Sequence, residues 1–213
     1  MFTYYIQIAF VQFASCQHQT QTILNDLQQM NPPDPCPIKS LLLHKPINTT
    51  STDFIKTSCN STTYPSLCYK SLSSYASSVQ TDPRNLCDAA LTVTIQAARN
   101  TTKLVSQISR QKGITKTEAG AIEDCIENIG DSIDELKQSL KAMGNLGSAG
   151  DTEFQMANIK TWVSAAITDE NTCTDGFSGR KVSAAVKNNI RDSIVNLAKL
   201  TSNALSLINQ LTY

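Results

Sequence analysis

The sequence predicts an all-α fold, an antiparallel up-down-up-down four-helix bundle preceded by an N-terminal α-helical hairpin and stapled by disulfides. Three observations predict it. All seven prolines lie at or before Pro83, so the remaining 130 residues carry none. All eight glycines lie at or after Gly113, and Gly113, Gly144/Gly147/Gly150 and Gly176/Gly179 mark three breaks that make four segments. Each segment repeats apolar residues at steps of three and four, the narrow stripe of a bundle helix.

Ahead of the bundle, Thr52 to Ser58 and Pro65 to Val79 read as two short helices, the second opening on a proline at its first turn. Leu67, Tyr69, Leu72, Tyr75 and Val79 give that hairpin a partly apolar face, which at this length must pack on something to persist. The first bundle helix reads Leu86, Ala90, Val93, Ala97, Thr101, Leu104 and Ile108. The second, from near Thr115, carries Ile122, Ile126, Ile129, Ile133, Leu136, Leu140 and Met143, an unbroken ladder of alternating four-residue and three-residue steps. The third offers Met156, Ile159, Val163, Ala166, Cys173 and Phe177, with Glu170 standing where the period expects an apolar residue. The fourth reads Ile190, Ile194, Leu197, Thr201, Ala204, Ile208 and Leu211. Connections this short force antiparallel neighbours.

Lysine plus arginine (18) balances aspartate plus glutamate (18), so no global field draws the chain to nucleic acid or anionic lipid. No stretch approaches the roughly 20 apolar residues of a membrane-spanning helix. Residues 1–51 read as a leader: a poor export signal from Tyr4 to Ala14, interrupted by Gln7 and Gln12, then a Gln-rich and Pro-rich linker without sustained period. The folded domain is expected over 52–213. Both histidines, His18 and His44, fall in the leader, which leaves the bundle without a Ser/His/Asp triad or an ordinary zinc site. With no phosphate loop or dinucleotide fingerprint either, the sequence predicts no enzyme, no cofactor, no metal and no small-molecule substrate.

Seven cysteines without a Cys-x-x-Cys pair fit a disulfide framework in an oxidising compartment. A Cys59 to Cys68 bridge would close the hairpin turn, worth about 2 to 3 kcal/mol in the chain-entropy model. A Cys125 to Cys173 bridge between neighbouring helices is geometrically plausible, with Cys87 then the free thiol, although four cysteines allow three pairings. Cys16 and Cys36 lie in the leader. N-glycosylation sequons stand at Asn48, Asn60 and Asn100, against which chance matches in a Thr-rich and Asn-rich chain must be set.

The second bundle helix carries Glu118, Glu123, Asp124, Glu127, Asp131, Asp134 and Glu135 with no basic residue among them. The helix dipole accounts for acids only in the first turn. Glu127, Asp131 and Asp134 share one face and repel one another. A solvated face partly neutralised by Arg99, Lys103, Arg110 or Lys112, a surface for a basic partner, and paired carboxylates for acid/base work are the three possibilities, the last needing a concave cleft.

The segments Thr57-Ser-Cys59, Tyr64-Pro-Ser-Leu-Cys68, Glu123-Asp-Cys125, Asp131-Ser-Ile-Asp-Glu-Leu136, Trp162-Val-Ser-Ala-Ala166 and Thr172-Cys-Thr-Asp-Gly-Phe177, in that order, resemble plant invertase and pectin methylesterase inhibitors from Thr52 to Tyr213. The resemblance implies a four-helix bundle with a helical hairpin, bridged Cys59 to Cys68 and Cys125 to Cys173. It also implies a secreted protein of the plant cell wall, or apoplast, that inhibits its target enzyme without reacting. In the pectin methylesterase branch the inhibitor docks beside the substrate cleft as a protein–protein complex, expected to be 1:1. Glu127, Asp131, Asp134, Thr172 and Asp175 occupy positions resembling that branch's contact residues. Members of the invertase branch resemble one another in a Pro-Lys-Phe tripeptide between helices three and four, where this chain has Gly176-Phe-Ser-Gly-Arg-Lys181. That departure favours pectin methylesterase as the target, with acid invertase (cell-wall or vacuolar) and a non-inhibitory structural cell-wall module as alternatives. Similar bundles precede catalytic domains in pectin methylesterases; a chain ending at Tyr213 is expected to act in trans.

Overall fold

The computed structural model describes residues 47–148 and 150–212, with side chains from Thr50 onward. The hairpin comprises α1 (Ile47–Cys59), α2 (Pro65–Leu72), a 3₁₀ turn at Ser73–Tyr75 and α3 (Ala76–Val79). The bundle comprises α4 (Pro83–Ser109), α5 (Lys116–Gly144), α6 (Thr152–Asp175) and α7 (Ala184–Asn209). Helix α4 packs on α5 and α7, and α6 on α5 and α7, which closes an antiparallel square.

The hairpin differs from the sequence expectation at both ends. Helix α1 starts at Ile47 rather than Thr52, and Ser51 is buried. The second arm is broken at Ser73–Tyr75, within a serine-rich stretch where hydroxyls compete for backbone carbonyls, as Ser71 Oγ does by donating to Cys68 O at 3.0 Å. Ile55, Leu72, Ala76 and Val79 bury the hairpin's apolar side in one cluster with bundle residues. The Cys59–Cys68 disulfide joins α1 to α2 across a Cα–Cα distance of 5.5 Å.

Every bundle helix starts on a side-chain cap. Asp82 accepts from the N–H groups of Arg84 and Asn85, and Asp151 from those of Glu153 and Phe154. Ser183 Oγ accepts from Val186 N–H. Thr115 and Glu118 form a capping box, and Glu118 reaches further: its second carboxylate oxygen accepts from Ser183 N–H at 2.8 Å. Backbone N–H groups of Thr115 and Ser183, with their hydroxyls, hold the Glu118 pKa down at about 2. One carboxylate therefore ties the entry of α5 to the entry of α7. At the opposite end Arg84 donates two hydrogen bonds, of 3.1 and 2.6 Å, to Met143 O near the end of α5.

The core forms two apolar clusters, one beside the hairpin containing Leu136, Ala166 and Ala204, the other containing Ile129, Cys173 and Leu197. A buried polar layer lies between them along the chain of each helix: Ser132 on α5, Glu170 on α6 and Thr201 on α7. Both hydroxyls donate to Glu170 Oε1, at 3.0 and 2.7 Å, while Oε2 has no hydrogen-bond partner. Burial is the main cause that pushes the Glu170 pKa up to about 7, against the opposing pull of those two hydrogen bonds. Glu170 thus completes the seam as a hydroxyl-paired acid.

Candidate functional site

Helices α5 and α6 are tied by the Cys125–Cys173 disulfide at a Cα–Cα distance of 4.2 Å. So close an approach requires small residues on α5, and the seam positions between Ile122, Ile129, Leu136 and Met143 are Cys125, Ser132 and Ser139, all buried. The larger Ile126, Ile133 and Leu140 are only half-buried beside them. The bridge is rigid backing for whatever surface α5 and α6 present, which lowers the ordering needed on binding.

That surface is acidic. Glu127, Asp131 and Asp134 are exposed along α5, and Thr172 and Asp175 are exposed at the end of α6 on either side of Cys173. Thr172 Oγ1 donates to Thr168 O at 2.8 Å, within its own helix. Two residues join them: Glu135, already in the acidic stripe of the sequence, and Asp169, which the sequence pattern did not single out. Glu135 of α5 is raised in pKa by burial, then by Asp169, then by Asp131; Asp169 of α6 is raised by burial and then by Asp131. Asp131, Glu135 and Asp169 therefore form a mutually repelling trio across the α5–α6 groove. Asp169 precedes Glu170, and this acidic pair at the break in the α6 period was the available signal.

Among the described residues the ion pairs are Lys137–Asp134 and Arg180–Asp124, each 2.8 Å and each exposed. Asp134 is thus partly neutralised from within α5, and Asp124 from the α6–α7 loop. Arg99, Lys103, Arg110 and Lys112 make no ion pair with the stripe, so direct neutralisation from the first bundle helix, one of the three possibilities, does not occur. The paired-carboxylate alternative finds no support either, because the trio lies among exposed and half-exposed side chains on the open α5–α6 face rather than in an enclosed cleft.

The remaining candidates lie elsewhere. Cys87 is a free thiol buried in α4; burial first, then Asp88 and Asp82, pushes its pKa up to about 12, the opposite of what a nucleophile needs. Asn60 is exposed in the turn after α1 and Asn100 is exposed on α4, where its Oδ1 accepts from Gln96 Nε2 at 3.3 Å. Asn48 falls in α1, but its side chain lies outside those described. Cys16, Cys36 and the leader to residue 46 lie outside the described residues. No group of His, Cys, Asp and Glu suited to a metal ion occurs among the described residues, and no described helix is long and apolar enough to cross a membrane.

Residues 53–207 match the family model described as plant invertase/pectin methylesterase inhibitor. Pectinesterase inhibitor 10 of Arabidopsis thaliana is 44% identical over 164 residues, which are 76% of this chain and 52% of the relative. Pectinesterase inhibitor 11 of the same plant is 46% identical over 160 residues, 74% of this chain and 79% of the relative. The chain therefore spans about half of the first relative and most of the second. Among solved structures, a mutant form of a pectin methylesterase inhibitor from Arabidopsis superposes with a TM-score of 0.55 at 24% identity, over 74% of this chain and 97% of that one. At that identity the likeness concerns the fold, and the all-helical bundle expected from the sequence agrees with it.

Proposed function

This chain belongs to the plant invertase/pectin methylesterase inhibitor family, and from that premise we propose that it inhibits pectin methylesterase, binding the enzyme in trans and blocking pectin without reacting. The docking face is the α5–α6 surface, with Glu127, Asp131, Asp134, Thr172 and Asp175 joined by Glu135 and Asp169. The observation that carries this assignment of the face is the repelling trio Asp131, Glu135 and Asp169. Folding gains nothing from bringing three carboxylates together without a cation, whereas basic groups on a partner would relieve the repulsion. The Cys125–Cys173 bridge holds that face in one shape before the partner arrives.

We read the complex as 1:1, with the α5–α6 face of one chain engaging one enzyme molecule. Residues 1–51 serve as a leader to an inhibitory domain of residues 52–213. Two disulfides suit an oxidising extracellular setting, the apoplast of a plant cell wall, where the exposed Asn60 and Asn100 would be glycan acceptors. Exchanging Asp131 and Asp169 for lysine tests the face. The double variant should keep its helical signal and melting while losing about tenfold or more of its inhibition of methanol release from pectin. Undiminished inhibition by that folded variant would remove α5–α6 as the docking face.

A further inference from the structure

Helix α6 also borders a different surface. Between α6 and α7 lies a hollow of about 290 Å³ whose walls include Tyr64, Asn171, Val195, Lys199 and Ser202. Tyr64 and Lys199 also wall an adjoining hollow of about 430 Å³, with Leu67 and Asn196. The two therefore meet at one aromatic ring and one ammonium group.

The main chain that carries the ring is fixed by hydrogen bonds to α7. Tyr64 sits in the loop closed by the Cys59–Cys68 disulfide. Asn203, 3% exposed, accepts from Tyr64 N–H at 2.8 Å and donates to Tyr64 O at 3.0 Å. The hydroxyls of Thr63 and Ser206 lie 3.2 Å apart beside them. Yet Tyr64, so anchored through its main chain, remains 37% exposed, beside Val195 at 39%. Rigid exposed apolar groups of this kind serve recognition better than they serve the core.

The cation at the ring is Lys199, whose Nζ lies 5.5 Å from the Tyr64 ring centroid and which walls both hollows. Beyond the hollows, Arg191 and then Lys187 continue the same face of α7 at four-residue steps through Val195. Asp169, Glu170, Asp175 and Asp192 all lie within two residues of these walls, but Glu170 is buried against Ser132 and Thr201, Asp169 acts on Glu135 of α5, and none of the four forms an ion pair with these cations. An occupant must then be anionic, must offer an apolar face to an aromatic ring, and must carry hydroxyls for Asn171, Asn196 and Ser202. Repeating sugar acids combine all three.

We propose that the paired hollows beside Tyr64 bind an oligomer of hexuronic acid, with one ring stacked on Tyr64 and carboxylates against Lys199 and Arg191. The site stands on these residues alone and does not depend on which enzyme the chain inhibits. Calorimetric titration of the full oxidised chain with short oligogalacturonates of defined length tests it, beside neutral cello-oligosaccharides and polyglutamate. Saturable binding of the oligogalacturonate is expected, weakened about tenfold by Tyr64→Ala and by Lys199→Gln, each of which leaves the main-chain contacts to Asn203 in place. Melting of each variant identifies any that fails to fold, and Arg191→Gln on the exposed face of α7 serves as the third. No binding, equal binding by the folded variants, or equal binding of the neutral sugar or of polyglutamate would overturn the proposal.

Discussion

Replacing Glu170 by glutamine should convert a pH-dependent stability into a nearly flat one. The carboxyl is 0% exposed, and burial places its pKa at about 7 against an ordinary 4.5. Since the folded value is the higher one, the fold favours the protonated acid. Its contribution is fully present below pH 4.5 and is lost as pH rises through about 7. The gap between the two values corresponds to about 3 kcal/mol. Glutamine keeps an oxygen for Ser132 and Thr201 but carries no charge, so below pH 4.5 the two proteins should agree within about 1 kcal/mol. Above pH 7 the glutamine variant should be the more stable by about 3 kcal/mol, on the order of 10 °C in Tm. Urea unfolding of both oxidised chains across this range gives the difference directly. Asp88 and Glu118, which are not among the groups acting on Glu170, titrate in both proteins and drop out of it, whereas the Asp169 charge that helps raise the Glu170 pKa is part of the difference. A constant offset at every pH, or a glutamine variant weaker at high pH, would refute the account of the polar layer.

The opposite sign holds for Glu118, whose pKa is lowered to about 2: its contribution is present above pH 4.5 and fades as pH falls through about 2. Glu118→Gln should therefore lower melting at neutral pH and lose that penalty in strong acid, read by circular dichroism. Cys125→Ser with Cys173→Ser removes a bridge spanning 48 residues, for which loop entropy gives about 4 kcal/mol of lost stability. Unchanged melting of that double variant, with a mass showing that no bridge was lost, would contradict the pairing. Cys87, buried with a pKa of about 12, should resist thiol-labelling reagents in the native protein and react only at the rate of unfolding.

The four bundle helices and their breaks were legible because prolines and glycines mark their boundaries and the apolar period runs through each. The seams were less so. On α4 the pattern offered Val93, Ala97 and Leu104, whereas the buried positions are Thr94, Ala98 and Val105, one residue on. Neighbours of such similar polarity do not reveal which of them faces inward. On α5 the ladder of large residues pointed to Ile126, Ile133 and Leu140, but close packing against α6 selects Cys125, Ser132 and Ser139. Ser139 is accommodated because its hydroxyl donates to Glu135 O one turn back, at 2.9 Å.

Glu170 looked like a fault in the α6 period, since a one-dimensional pattern cannot show two hydroxyls arriving from other helices. The same limit hid the trio at the candidate face. Asp131 was visible in its stripe, but Asp169 belongs with it only once α5 and α6 lie side by side. Acid spacing along one helix records repulsion within that helix; the repulsion across the groove is a property of the packed pair.

The central claim is tested most directly by one paired assay, in which the oxidised chain is added to a plant pectin methylesterase and to an acid invertase under the same conditions. Slowed methanol release from pectin with sucrose cleavage untouched is the predicted result. Inhibition of the invertase with pectin de-esterification unaffected would contradict it.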